Sequence, residues 1–174
     1  WRGDLSITAP FSLDASRDTE GTWIYVRDEE SGRLWSATTA PTHVVQNTTR
    51  RTTFQGHKAE FLLRHDGLAV RTEVAVASGD DVELRLVTIH NETDRARRIT
   101  VTSSAEPVLE PAPAVMRHPA FSKLFLESEV ITEVLGLLFM RRPRNASERH
   151  AVVVHRLVTD EAGSRVRWGG AESS

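Results

Sequence analysis

The chain contains no cysteine among its 174 residues. This excludes a disulfide framework and any thiolate metal site, and it suits a reducing, cytoplasmic compartment. Long hydrophobic runs are missing too. The longest, Val134–Met140, has the length of a strand, far short of the roughly 18–20 apolar residues that cross a bilayer, so no membrane contact is expected of this domain. Lysine is scarce, with only Lys58 and Lys123 beside 20 arginines, and the formal net charge is −2. A nucleic-acid partner would need a concentrated basic surface. The clusters Arg95-Ala96-Arg97-Arg98 and Arg141-Arg142-Pro143-Arg144 are each too short to steer a polyanion, so no nucleic acid is expected. The arginine excess would suit bidentate recognition of anions, but compositional bias of a genome is the preferred explanation.

Signatures of chemistry are also scarce. The seven histidines are scattered, without His-Glu-x-x-His spacing, so no metal is expected. There is no Gly-x-Ser-x-Gly elbow and no Gly-rich phosphate loop ending in Lys-Ser/Thr. Glycosidic cleavage needs one acid and, in hydrolases, a second carboxylate. The close carboxylate groups are Asp28-Glu29-Glu30, Asp80-Asp81 and Glu127 with Glu129. The first two sit in turns, where solvated acids are expected, and Glu127 and Glu129 read as one exposed strand face. The sequons at Asn47, Asn91 and Asn145 are chance features of polar turns.

What is present is β-structure. Asp80–Ser104 holds two apolar-alternating runs around His90-Asn91-Glu92-Thr93-Asp94-Arg95 and reads as a long hairpin. Val82, Leu84 and Leu86 share one parity, then Val87 and Ile89 the other, which suggests a bulge or a strand buried on both faces. Further strands are expected at Trp23–Arg27, Arg33–Ser36, Thr52–Gln55, Lys58–Arg64, Leu68–Ala77, Lys123–Glu129, Val134–Met140 and His150–Val158. Asp66-Gly67 between two alternating runs is a strong hairpin signal. The spacing of Val130, Val134, Leu137 and Leu138 also fits a helix over Ser128–Leu138, with strand preferred. Prolines at 107, 111, 113 and 119 make Glu106–Ser122 a long ordered excursion.

Successive strands without crossover helices predict an all-β fold of two antiparallel sheets packed face to face. One domain is expected over 1–174, with a flexible tail at 169–174. The start at Trp1 without Met suggests excision from a larger multidomain enzyme.

Several blocks carry a resemblance: Gly21–Asp28 (GTWIYVRD) with Glu30–Ser36 (ESGRLWS), Asp80–Arg85 (DDVELR) with Thr88-Ile89, then Glu106, Val108-Leu109, His118–Phe125 (HPAFSKLF) and Arg141–Arg144 (RRPR). Over roughly Gly21 to Leu157 the chain resembles glycoside hydrolase family 94, and more narrowly the sandwich domain of cyclic β-1,2-glucan synthetases, with cellobiose and β-1,2-oligoglucan phosphorylases as relatives. The resemblance implies a supersandwich of the galactose-mutarotase type. It also implies that chemistry resides elsewhere in a parent chain, in an (α/α)6 barrel where an aspartate is the general acid and inorganic phosphate is the nucleophile. No residue here matches that catalytic motif, so no catalytic residue and no cofactor is assigned. The implied partners are the barrel of the same parent chain, a β-glucan oligosaccharide and a second copy in a homodimer. Other segments of the parent would supply any anchor in a bacterial inner membrane.

If this chain touches sugar, His118, Phe121, Lys123 and Arg142 are the candidate binding residues. An imidazole, an aromatic ring and an ammonium group within His118–Phe125 could stack on and hydrogen-bond a glucosyl unit. Packing of Phe121, Leu124 and Phe125 with Lys123 solvated competes with that reading, and Arg142 and Arg144 equally suit ion pairing to an adjoining domain. Trp23 and Trp35 are expected in the core, while Trp1 and Trp168 lie near the ends. Two functional classes stand: a noncatalytic domain of a β-1,2-glucan-processing enzyme, and an autonomous carbohydrate-binding module. A mutarotase-type enzyme ranks third, because no catalytic His and Glu pair is identifiable.

Overall fold

Asp66 and Gly67 both adopt positive φ, 51° and 74°, the backbone of a two-residue primed turn whose twist matches that of the strands it joins. In the computed structural model, which describes residues 3–9, 20–44, 46–117, 121, 123–145, 148 and 150–160, this turn links two of twelve strands. In chain order these are β1 (Leu5–Thr8), β2 (Thr22–Asp28), β3 (Leu34–Ser36), β4 (Thr48–Phe54), β5 (Ala59–His65) and β6 (Leu68–Val76). There follow β7 (Glu83–Asn91), β8 (Ile99–Ala105), β9 (Pro107–Pro111), helix α1 (Ala112–Arg117), a 3-10 turn at Lys123–Phe125, β10 (Leu126–Ile131), β11 (Gly136–Arg141) and β12 (Ala151–Arg156). They fall into two compact units, residues 1–13 with 105–174, and residues 14–104.

The unit of residues 14–104 is a sandwich. One sheet has the order β4-β5-β6-β7 and the other β3-β2-β8. Between them lie Ile24, Val26, Trp35, Ala37, Leu63, Leu68 and Val70, with Val87, Ile89, Ile99 and Val101 packed against this cluster. The period-2 pattern of Leu68–Val76 produces the arrangement directly, since alternate side chains point to one face.

Three sequence expectations are corrected. Asp80–Ser104 is not a hairpin: β7 pairs along its length with β6, while β8 joins β2 in the opposite sheet. The polar cluster at 90–95 therefore covers the end of β7 and the start of a crossing between sheets, held by Glu92 N–H donating to Gly67 O at 2.8 Å and Glu29 N–H donating to Arg98 O at 3.0 Å. The parity change in β7 is neither a bulge nor double burial. Its register with β6 runs unbroken from Leu68↔Asn91 to Val76↔Glu83, Val87 and Ile89 pack inward, and Leu84 and Leu86 are exposed on the outer face. Residues 106–117 are regular rather than an excursion: β9 pairs with β1, and α1 follows. Pro107 and Pro111 sit at the ends of β9, and Pro113 in the first turn of α1, where missing N–H donors are tolerated.

The other unit contains the ribbon β1-β9 and the sheet β10-β11-β12. Leu109, at φ 50°, takes up the extra residue of an irregularity in which Ser6 faces Glu110 but Thr8 faces Pro107. Ser128–Leu138 is strand, turn and strand, as preferred over helix.

Candidate functional site

The two ends of the residue 14–104 sandwich differ in chemistry. At one end, Asp28 and Arg97 are both buried and ion-paired at 2.6 Å, and the Arg97 guanidinium reaches on to the Asp66 carboxylate at 3.4 Å and donates to the Asp66 carbonyl. Asp28 also accepts the Glu30 N–H at 2.9 Å. The Arg97 hydrogen bond, with help from the Glu30 N–H, holds the Asp28 carboxyl down at about 2. The clamp joins the β2–β3 loop, the β5–β6 turn and the crossing segment.

The other end is open. Along the inner face of β6, Leu68, Val70 and Thr72 are 1%, 0% and 2% exposed, while Val76 is 69% exposed. β6 has nine residues, whereas β2 and β8 have seven and β3 has three, so the smaller sheet leaves the far end of the larger one uncovered. A cavity of about 240 Å³ occurs there, lined by Thr22, Trp23, Ile24, Ala37 and Thr38 from the smaller sheet and its margin, and by Ala59, Phe61, Thr72, Val74 and Arg85 from the larger. The register puts Phe61 opposite Thr72, and Val74 opposite both Ala59 and Arg85, so these five side chains share the inner face.

Arg85 donates from Nη1 to the Thr22 carbonyl at 2.7 Å and from Nε to Glu83 Oε1 at 2.6 Å, so its charge is balanced. The buried Thr72 hydroxyl has no hydrogen-bond partner among the described residues. Phe54, opposite Ala59 on the same face, is 77% exposed and meets Phe61 edge to face at 6.3 Å. The outer face of this sheet carries Arg71, paired with Glu60 at 2.6 Å and with Glu73 at 3.2 Å. Lys58 pairs with Glu73 there, and its hydrogen bond is the main cause that lowers the Glu73 carboxyl.

The residues singled out in the sequence belong to the other unit. His118 lies outside the described residues, as do Trp1, Trp168 and the 169–174 tail. Phe121 is exposed, Lys123 is exposed and paired with Glu106 at 3.0 Å, and Arg142 is exposed and paired with Glu127, its Nε donating at 3.0 Å. Arg142 N–H donates to the Phe125 carbonyl at 2.9 Å, which brings the 3-10 turn and the arginine cluster together. Arg141 and Arg144 each lie 5.4 Å from the Phe125 ring centroid. Arg141 is buried and bonds Glu110 at 2.9 Å, and Arg144 pairs with the same carboxylate. Burial pushes the Arg141 guanidinium down from its ordinary value. These ion pairs stay within one unit and hold β9 against the end of β11.

Phe54 and Thr72 were not singled out in the sequence. Thr72 interrupts an otherwise apolar stripe at 68, 70, 74 and 76, which is a legible signal; the exposure of Phe54 depends on the unequal sheet lengths and is not. Trp35 is in the core at 1% exposure. Among the described residues no group of three or more His, Asp or Glu could hold a metal, and no helix is long and apolar enough to cross a membrane.

The family model for the glycosyl hydrolase 94 supersandwich domain matches residues 1–174. The cyclic β-(1,2)-glucan synthase NdvB of Rhizobium meliloti (strain 1021) is 38% identical over 164 residues, 94% of this chain and 6% of that protein. The N,N′-diacetylchitobiose phosphorylase of Vibrio proteolyticus is 29% identical over 97 residues, 55% of this chain and 12% of that protein. The chain thus spans a small fraction of either relative's length. With antiparallel sheets packed as a sandwich and a match over its whole length, the chain belongs to the supersandwich domain family of glycosyl hydrolase 94.

Proposed function

We propose that the chain is a noncatalytic sandwich domain of an enzyme that makes or phosphorolyses β-1,2-glucan, in the manner of a cyclic β-1,2-glucan synthetase, and that it supports an (α/α)6 catalytic barrel in the same parent protein. The observation that carries this reading is the 38% identity over 94% of the chain to a cyclic β-(1,2)-glucan synthase. The shorter, weaker match to a phosphorylase of a different disaccharide fits a domain that accompanies the chemistry rather than defines it. Phosphate and the general acid belong to the barrel in this reading. The cysteine-free composition fits placement in the cytoplasm, and a second copy of the parent is a further expected partner.

Supplied with β-1,2-glucooligosaccharide and inorganic phosphate, the isolated chain is expected to release no sugar 1-phosphate, whereas the longer protein that carries it releases it. Turnover by the isolated chain would overturn the noncatalytic assignment. A longer protein that acts on N,N′-diacetylchitobiose but not on β-1,2-linked glucan would overturn the substrate assignment.

A further inference from the structure

We infer that the free edge of β7 is a self-association surface, on which two copies of this chain pair their β7 strands antiparallel about Leu84 and join their four-stranded sheets into one. The second copy expected of the parent would use this surface; the noncatalytic reading stands without it.

β7 ends the sheet β4-β5-β6-β7, and among the described residues no strand pairs with its other side. An edge strand offers unpaired N–H and C=O groups to a further strand. Their positions follow from the ladder with β6. Ala77 N–H donates to Val82 O at 2.9 Å and Glu92 N–H to Gly67 O at 2.8 Å, so even-numbered residues along β7 turn their backbone groups toward β6. Glu83, Arg85, Val87 and Ile89 turn theirs outward. The opposite edge, β4, carries the adjacent exposed residues Arg50 and Arg51, charges that guard an edge against pairing. β7 contains neither lysine nor proline. Its outer face and the residue before it expose Val82 at 45%, Leu84 at 60% and Leu86 at 61%.

A two-fold axis perpendicular to the sheet keeps outer-face residues opposite outer-face residues, so it passes through one residue of the strand. With the axis at Leu84, Leu84 faces its own copy and Val82 faces Leu86, and the exposed aliphatic side chains cover one another. On the inner face, Glu83 of each copy faces Arg85 of the other. An axis at Glu83 or at Arg85 would set like charges directly opposite, which destabilises. An axis at Leu86 would set Glu83 against Ile89 and Arg85 against Val87. The strand that complements Val82-Glu83-Leu84-Arg85-Leu86 is therefore the same segment run in reverse, and a second copy is the matching occupant. Arg85 bonds Glu83 at 2.6 Å within its own chain, so the pairing extends an ion pair already present. The overlap is too short to bury the roughly 1,200–2,000 Å² of stable complexes, so the association is weak and concentration-dependent.

The absence of cysteine permits a direct test with two single-cysteine variants at nearly equal exposure, Leu84→Cys and Leu86→Cys. Facing residues at a non-hydrogen-bonded position lie about 4.5 Å apart between Cα atoms, within the roughly 4.4–6.8 Å that a disulfide spans. The two copies of residue 86 would lie about 14 Å apart, four residue steps of about 3.4 Å each, which no disulfide spans. With copper phenanthroline as oxidant, Leu84→Cys is expected to form covalent dimers at least about tenfold faster than Leu86→Cys, because only its thiols come within bonding reach. Sedimentation of the wild type should show a monomer–dimer equilibrium between micromolar and millimolar concentration. Leu84→Lys, which sets two ammonium groups face to face, should stay monomeric while melting as the wild type does, since the side chain meets solvent in the monomer.

Equal crosslinking rates would mean random collision, and a faster rate for Leu86→Cys would mean another register. A wild type that stays monomeric at millimolar concentration would mean that the edge is closed or is met by a strand of another segment, and a dimer of Leu84→Lys as tight as that of the wild type would mean that another surface associates. Each of these results overturns the pairing. None of them bears on the release of sugar 1-phosphate by the longer protein, so this failure and a failure of the proposed function are distinguishable.

Discussion

Leu68 and Leu86 are the same side chain on neighbouring strands, β6 and β7, facing opposite ways. Leu68 is 1% exposed and Leu86 is 61% exposed. Truncating each to alanine isolates the effect of the face. Burying a leucine contributes about 1.5–3 kcal/mol, and Leu68 is surrounded by Val26, Trp35, Leu63 and Val70, all anchored in paired strands and poorly able to close a void. Leu68→Ala should therefore cost about 3 kcal/mol, within the roughly 2–5 kcal/mol of such core truncations. Leu86→Ala removes atoms that already meet solvent and should stay within about 0.5 kcal/mol. In urea, with a slope of about 2 kcal/mol/M, these correspond to midpoint shifts of about 1.5 M and less than about 0.3 M. Equal shifts, or a larger one for Leu86→Ala, would refute the assignment of the inner and outer faces of this sheet, and with it the position of the cavity.

The clamp at the closed end predicts acid sensitivity. The folded-state value of Asp28 is lowered from 3.8 to about 2, so the stability it contributes is complete above 3.8 and is lost as the pH falls through 2. Asp28→Asn should be less stable near neutrality and should show a flatter melting-temperature profile between pH 4 and 2; parallel profiles for the two proteins would contradict the clamp. At the turn, a Cβ on Gly67 would lie 2.4 Å from Thr93 Cγ2, at a φ of +74°. Gly67→Ala should cost more than about 1 kcal/mol. Adding Thr93→Ser, which removes that methyl and keeps the hydroxyl bonded to Asn91 Oδ1 at 2.6 Å, should restore part of the loss in chemical denaturation. A double variant less stable than Gly67→Ala would show that the methyl is not the obstacle.

Local patterns in the sequence foretell local structure well. Alternation over Leu68–Val76 and the Asp66-Gly67 dipeptide suffice to place the β5–β6 hairpin, because side-chain period and primed-turn backbone are short-range properties. Pairing partners are a different matter. Nothing in the alternation of β8 distinguishes pairing with β7 from pairing with β2; the contacts that accompany the pairing with β2, such as the buried Asp28–Arg97 pair, join residues 69 apart. Prolines suggest an irregular path over 106–117, yet a two-stranded ribbon tolerates them at strand ends, where few ladder hydrogen bonds are needed. The candidates in His118–Phe125 and at Arg142 came from residue chemistry alone, and the carboxylates that engage Lys123 and Arg142, Glu106 and Glu127, became visible only once the chain was folded.

The same geometry separates stability from recognition along the strands of the residue 14–104 unit. At the clamped end, the inner-face side chains are covered and the buried charges of Asp28 and Arg97 are matched, so a substitution there acts on folding. At the open end, the short β3 leaves Phe54 and Val76 exposed, so a substitution at either removes little packing. Had the three-stranded sheet extended over this end, Phe54 would be core and Phe54→Ala would cost several kcal/mol, about 3–5 for a buried phenylalanine. The exposed ring instead predicts a change well under 1 kcal/mol. An unfolding midpoint for Phe54→Ala close to that of the wild type would leave this end free for a ligand, whereas a core-sized loss would mean that packing within the protein already covers it.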